Sequence, residues 1–354
     1  MQTAHSVDTH SVGRQAGSKA CSTSRADAAI VSARDTIHGG KCLRLQDLSG
    51  IDLPVLRTPV PGAWAGAPTE AAPPSADTAP AAANSRVLML CADDFGLDAG
   101  ISIAIARLAH AGRLNAVSCL SAGAGWAADA EWLRDMPAAV SLGLHFNLTY
   151  GQPLSRRLAR VWPRLPSLAR LTAQAHLGLL PRAALLAEFH AQFGAYVKAL
   201  ERPPNFIDGH QHVHHLPVVR NIILDAVEHI QPMPALRSTA PVQGSGAGIK
   251  RWLIERAGGL GLARELRRRV IPHNTALLGV YDFARTDYRA LMQGWLASVP
   301  PEGALLMCHP GGVSSIGARD PIGAARIREL NYLSSDDFTQ DLAGAGVTLG
   351  TVWR

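Results

Sequence analysis

The sequence predicts an α/β domain built on a parallel sheet, and three observations lead to it. From Arg86 onward, short apolar runs alternate with stretches whose apolar residues recur at helical spacing. The apolar runs are continuous, as in strands buried on both faces, rather than alternating as in half-exposed ones. Carboxylates and histidines recur at or just past the C-terminal ends of these runs, the edge at which (β/α) barrels carry their chemistry.

The elements follow in order. VLMLCADDFGLD (87–98) is a buried strand that ends in two carboxylates and a turn glycine. AGISIAIARLAHAGRL (99–114) has helical spacing, with Gly112 near its end. AVSCLSAG (116–123) is a second strand, AADAEWLRDM (127–136) a helix, and SLGLHFNLT (141–149) a third strand with His145 in its second half. A long amphipathic helix covers 181–201. PNFIDGHQHVHHL (204–216) is a strand running into a His-rich loop, followed by a helix over 217–230. Residues 235–285 are less regular and rich in Gly and basic charge, and are expected to be an insertion or a long loop facing substrate. ALLMCHPGG (304–312) is a late strand ending at His309, and DDFTQDLAGAG (336–346) is a last helix before a final strand, VTLGTVW (347–353).

The first 85 residues differ in kind. PVPGAWAGAPTEAAPPSADTAPAAANS has no sustained period and too little apolar content to offset its ordering entropy. We expect residues 1–85 to be a disordered Pro/Ala-rich extension and residues 86–354 to form the folded domain.

Composition narrows the function classes. The chain has 354 residues and 47% hydrophobic content, enough for a sizeable core, and a net charge of +6. Its basic residues are scattered apart from one cluster, Arg264, Arg267, Arg268 and Arg269, which reads as a solvated helix face rather than a nucleic-acid patch. Five cysteines without CxxC spacing argue against a disulfide framework and against a cysteine zinc site. Reduced thiols fit a cytoplasmic protein. No apolar run approaches the roughly 18 residues of a membrane span, and the N-terminus has no apolar signal core. The expectations are a cytoplasmic location, no membrane span and no nucleic-acid partner; a homodimer is left open.

Four segments carry the candidate chemistry. Adjacent carboxylates Asp93 and Asp94 repel each other unless a positive charge sits nearby. A divalent cation relieves that repulsion, one carboxylate ligating it and the other serving as general base. The competing reading is a helix N-cap. His145 alone is more often a satisfied core residue than a ligand. DGHQHVHH sets four histidines within six positions beside Asp208 and emerges from an apolar strand, which favours metal binding over a chance surface run. On an extended chain His210, His212 and His214 share a face, and Asp208 is suited to orient a ligating imidazole from behind. His309, before Pro-Gly-Gly, is presented on a rigid turn and can protonate a leaving amine. Together these are the parts of a metal-assisted amide or ester hydrolase.

VLMLCADDFGLDAGISIAI, VSLGLHFNLTYGQPL, PNFIDGHQHVHHLPVV, LLMCHPGG and RELNYLSS occur in this order. Together they resemble the YdjC-like family, also called the ChbG/HpnK family of carbohydrate deacetylases, over residues 86–354. The resemblance implies an irregular (β/α) barrel of the glycoside hydrolase/deacetylase type and one divalent metal ion, with Mg or Zn the first candidates. It also implies removal of N-acetyl groups from an amino sugar, an oligosaccharide or a glycolipid. Carried over by motif, Asp94, His145 and His210 hold the metal, Asp93 is the general base and His309 the general acid. Arg237 resembles a family arginine near the substrate; His212 and His214 are assigned to substrate with it, and Arg328-Glu329-Leu330 is given a structural role. The chain departs from the pattern at Cys91, where Asn or Thr is usual, and over 243–274, which matches nothing in the family and is expected to shape substrate choice. The alternatives are hydrolysis of another acyl or phosphoryl substrate on the same site, or a non-catalytic carbohydrate-binding protein. A glycosidase acid pair is disfavoured, because neighbouring residues on one strand end are poorly placed to flank a sugar bond.

Overall fold

The computed structural model describes residues 85–244 and 248–354. The expected disordered extension therefore lies, but for Ser85, outside the described residues. Eight parallel strands form one sheet. They are β1 (Arg86–Phe95), β2 (Ala116–Cys119), β3 (Ser141–Phe146), β4 (Phe206–Gly209), β5 (Ala235–Leu236), β6 (Leu277–Leu278), β7 (Ala304–Cys308) and β8 (Val347–Leu349). The order is β5-β4-β3-β2-β1-β7-β6, with β8 paired to the start of β1. Parallel bridges Leu236–His273 and Val242–Leu277 link the two edges through irregular backbone. The result is the expected irregular (β/α) barrel.

The alternation of β1 explains why its apolar run is unbroken. Leu88, Leu90 and Ala92 face a large core shared with the helices. Met89 and Cys91 face a smaller core with Ala116, Phe206, Leu277 and Leu305, drawn from β2, β4, β6 and β7, which is the ring interior. A strand buried on both faces must be apolar at every position. Gly143 on β3 is required by that interior: a Cβ there would lie 2.4 Å from the Phe206 ring.

Helices cover the outside. Those that position the site are α1 (Ala99–His110), α2 (Trp126–Asp129), α3 (Arg156–Ala159), α4 (Leu168–His176), α5 (Arg182–Leu200), α6 (Val219–Val227), α7 (Gly248–Ile254), α8 (Leu260–Arg269), α9 (Tyr288–Ala297), α10 (Gly323–Ser334) and α11 (Asp336–Gly344). The N-cap of α1 is Asp98, which accepts from Gly100 N at 2.9 Å. Asp93 and Asp94 are thus not needed as caps and are available to the sheet edge. Among the described residues, no helix is long and apolar enough to cross a membrane.

The structure differs from the expectation over 235–285. This is not a loop: it supplies β5 and β6, which complete the sheet, and α7 and α8. Two-residue strands are too short to show any periodicity. The helix expected over 127–136 is also shorter, a single α-turn followed by a 3₁₀ turn, Ala130–Leu133.

Candidate metal centre

All strand C-termini share one edge, and the candidate residues meet there. Asp93 and Asp94 lie on β1, His145 on β3, Asp208 on β4 and His210 just after it, while Arg237 follows β5 and His309 follows β7. Consecutive residues on a regular strand point to opposite faces. Asp94 escapes that rule because its φ is +71° and the β1–β2 register breaks between Ala92 and Phe95. Such a bulge re-aims a side chain, and both carboxylates reach the same edge.

Asp94, His145 and His210 each offer one ligand atom, and these atoms lie within 4.8 Å of one another. Asp94 Oδ1 is 3.4 Å from His145 Nε2 and 3.0 Å from His210 Nδ1. His145 donates through Nδ1 to Asp208 Oδ1 at 2.6 Å, which leaves Nε2 turned to the centre. Ser118 on β2 donates to the same Asp208 oxygen at 2.6 Å. A buried carboxylate and two oriented imidazoles, one braced by an outer carboxylate, are a donor set that fits a divalent cation with positions left open. Arg326 from α10 bonds the other oxygen of Asp94 at 2.8 Å.

Asp93 stands on the other side. Arg237 grips both its oxygens, at 2.7 and 2.6 Å, and contacts Asp208 Oδ2 at 2.6 Å. Burial alone would raise the Asp93 carboxyl, but the guanidinium overrides it and holds the group well below the usual carboxylate range. Burial would likewise raise Asp94, and Arg326 with His210 pulls it well below. For His145 burial opposes the charge, but Asp208 and Asp94 outweigh it and raise its pKa to about 10. For His309 burial wins over the nearby carboxylates, and its pKa falls to about 4. Its Nε2 is 3.9 Å from Asp93 Oδ2. The His309 backbone N–H donates to Glu329 at 2.5 Å, and Glu329 also accepts from the Tyr281 hydroxyl at 2.5 Å. Phe283 closes the outer side of the His309 ring, with centroids 5.3 Å apart.

Two residues assigned to substrate, Arg237 and His214, sit deeper than the sequence suggested. Arg237 has no exposed surface, so it lies beneath the carboxylates rather than in the mouth of the site. Residues 210–215 are a 3₁₀ turn with left-handed Gln211 and His212, not an extended strand, so alternate histidines do not share a face. His214 is buried, with Nε2 on the carbonyl oxygen of Arg237 at 3.0 Å, and His212 packs on the rings of His214 and His215. Conversely, sequence reasoning passed over Ser118 and Arg326. A lone serine in an apolar strand and an arginine on a helix carry no signal by themselves.

A cavity of about 400 Å³ opens beside the centre, lined by Gly96, Leu97, Leu120, Asn147, Tyr150 and Leu154 among others. Tyr150 is 46% exposed and meets the His210 ring at 6.4 Å between centroids. Neither this cavity nor a larger one of about 580 Å³ between α1 and α10 is lined by the carboxylates and histidines of the centre; Tyr150 links the smaller one to His210.

The fold and this edge define a (β/α)-barrel protein with a candidate single-cation centre. The family model described as YdjC-like protein matches residues 87–344, and the chain belongs to that family. A chitooligosaccharide deacetylase of Yersinia enterocolitica is 27% identical over 271 residues, covering 75% of this chain and 98% of the relative. One from Serratia marcescens is 27% identical over 277 residues, with the same coverage. Among solved structures, a putative cellobiose-phosphate cleavage protein from Enterococcus faecalis superposes with a TM-score of 0.58 at 20% identity. That match covers 76% of this chain and 98% of the other, and it supports the fold.

Proposed function

We propose that the protein is a metal-dependent carbohydrate deacetylase that hydrolyses the N-acetyl group of an amino sugar. One observation carries the reading: the ligand atoms of Asp94, His145 and His210 converge within 4.8 Å, with Asp93 and His309 beside them. The names of the relatives point the same way. A divalent cation held by these three residues would polarise the amide carbonyl and make a water acidic enough to attack near neutral pH.

The chain's own groups handle the protons. Asp93 is ionised and locked in rotation by Arg237, so it stands ready to accept the proton of the attacking water. Its depressed pKa makes it a weak base and a ready donor thereafter. His309 is neutral at rest, because its pKa lies near 4, and must gain a proton before it can protonate the leaving nitrogen. Asp93, at 3.9 Å, is placed to supply it, through one bridging water or a small ring shift.

A second cluster, Cys91, Asp93 and Asp208, also has ligand geometry, but the single Arg237 guanidinium already bridges both carboxylates and occupies the space between them. That favours one cation over the paired metals common in phosphoryl chemistry. The reading is tested by acetate release from diacetylchitobiose and related N-acetylated sugars. Metal-reconstituted wild type is compared with His210→Ala and Asp93→Asn. Metal-dependent release lost in both variants is expected; phosphate release from a sugar phosphate without acetate release would replace the reading.

A further inference from the structure

The stretch 248–269 outside the centre has an unusual surface. α7 buries none of its residues. It exposes Ile249 at 78%, Trp252 at 60% and Leu253 at 50% of their surface. Their i, i+3, i+4 spacing puts them on one helical face. An exposed Trp among exposed aliphatic side chains is costly in water and marks an interaction surface. The same stretch holds seven basic residues against two acidic ones, a net charge of +5 in a chain whose total is +6.

Some of this basic charge is spent internally. Arg251, Arg268 and Arg269 pair with carboxylates, and Lys250 donates to the Tyr281 carbonyl at 2.8 Å. Arg256, Arg264 and Arg267 are exposed and have no carboxylate partner among the described residues. α8 buries Leu262, Ala263 and Leu266 on its other side, which leaves Arg264 and Arg267 turned outward.

The stretch packs against elements of the centre. A Cβ on Gly258 would lie 2.1 Å from the carbonyl oxygen of His215, so backbone packs directly on the histidine turn. Lys250 Nζ lies 4.7 Å above the Phe283 ring, and Phe283 touches His309. Through Lys250 and Phe283, α7 is thus linked to His309.

We propose that residues 248–269 dock the protein on an anionic lipid surface, with Ile249, Trp252 and Leu253 entering the interface and Arg256, Arg264 and Arg267 meeting the headgroups. Apolar side chains including Trp beside unpaired Arg is the chemistry of an interfacial helix. A self-association face would need an acidic counterpart to these arginines, and a buried lid would not carry them. Docking through this stretch is independent of which acyl group the centre removes.

The test is co-sedimentation of the full chain with vesicles of phosphatidylglycerol and phosphatidylcholine, or of phosphatidylcholine alone. Wild type is expected to bind the anionic vesicles at low salt, not the zwitterionic ones, and to release at high salt. The Ile249→Ser/Trp252→Ser/Leu253→Ser variant is expected to bind at least tenfold more weakly, and Arg256→Gln/Arg264→Gln/Arg267→Gln to lose the salt dependence. Both should keep the wild-type circular dichroism spectrum and turnover of a water-soluble substrate. The proposal is overturned if wild type ignores anionic vesicles or if both variants bind them as wild type does. It is equally overturned if ultracentrifugation shows the serine variant abolishing a dimer that never binds vesicles.

Discussion

Arg237 holds Asp93 by both carboxylate oxygens, at 2.7 and 2.6 Å, with no part of the guanidinium exposed. The same group contacts Asp208 at 2.6 Å, and Asp208 in turn holds His145 at 2.6 Å. One buried guanidinium thus spans the two halves of the centre, the proposed general base Asp93 and the support of the proposed metal ligand His145.

This linkage makes Arg237→Lys informative. Lysine keeps the charge but not the planar fork that fixes a carboxylate in two places. We expect kcat for deacetylation to fall about 10- to 100-fold, with a smaller change in KM, in protein that remains folded. Unchanged kcat would mean that Asp93 does not depend on this grip.

Asp208→Asn tests the proposed metal ligands. The amide can still meet His145, but it no longer supports the imidazole with a negative charge. Cation affinity, measured by calorimetric titration of the metal-stripped protein, should drop about 10- to 100-fold. Affinity equal to wild type would remove His145 from the ligand set or Asp208 from its support.

His309 gives a pH prediction. Its pKa is about 4 in the folded chain, against about 6.5 when unfolded. The folded form resists charging, so this residue costs nothing above pH ~6.5, and stability is lost as pH falls from there toward 4. In His309→Gln that loss is absent, so the variant should be less acid-sensitive by up to about 3 kcal/mol near pH 4. Urea unfolding of both proteins at pH 7 and pH 4.5 measures the difference; parallel curves would show that His309 titrates normally.

Tyr150 flanks the cavity beside His210, and Asn147 fixes its backbone, accepting from Tyr150 N at 3.0 Å and donating to Tyr150 O at 2.7 Å. An exposed aromatic ring held in place suits the apolar face of a sugar. Tyr150→Ala should raise KM for a chitooligosaccharide about tenfold, or ~1.4 kcal/mol, with kcat little altered. A fall in kcat at constant KM would instead place Tyr150 in the chemical step.

Much of this architecture was legible because burial writes itself into composition. The unbroken apolar runs of β1, β3, β4 and β7 report strands covered on both sides, and polar residues at their ends report the working edge. Asp93, Asp94, His145, His210 and His309 stand out against those runs. β5 and β6 left no such trace, since two residues have no period and their pairing is set by distant backbone. The face of a helix is equally local, yet whether Trp252 stays exposed depends on what the rest of the fold brings against it.

The sequence by itself determined the α/β class, the parallel sheet and the identity of the residues at its edge, because each follows from local patterns of burial. Only the tertiary structure decided how those residues face one another. The left-handed turn at Asp94 brings two neighbouring carboxylates to one edge of the sheet, the 3₁₀ turn after β4 separates His210 from His214, and Arg326 reaches Asp94 from 232 residues away. These depend on backbone conformation and long-range contact, and neither is encoded in the spacing of residue types along a single strand.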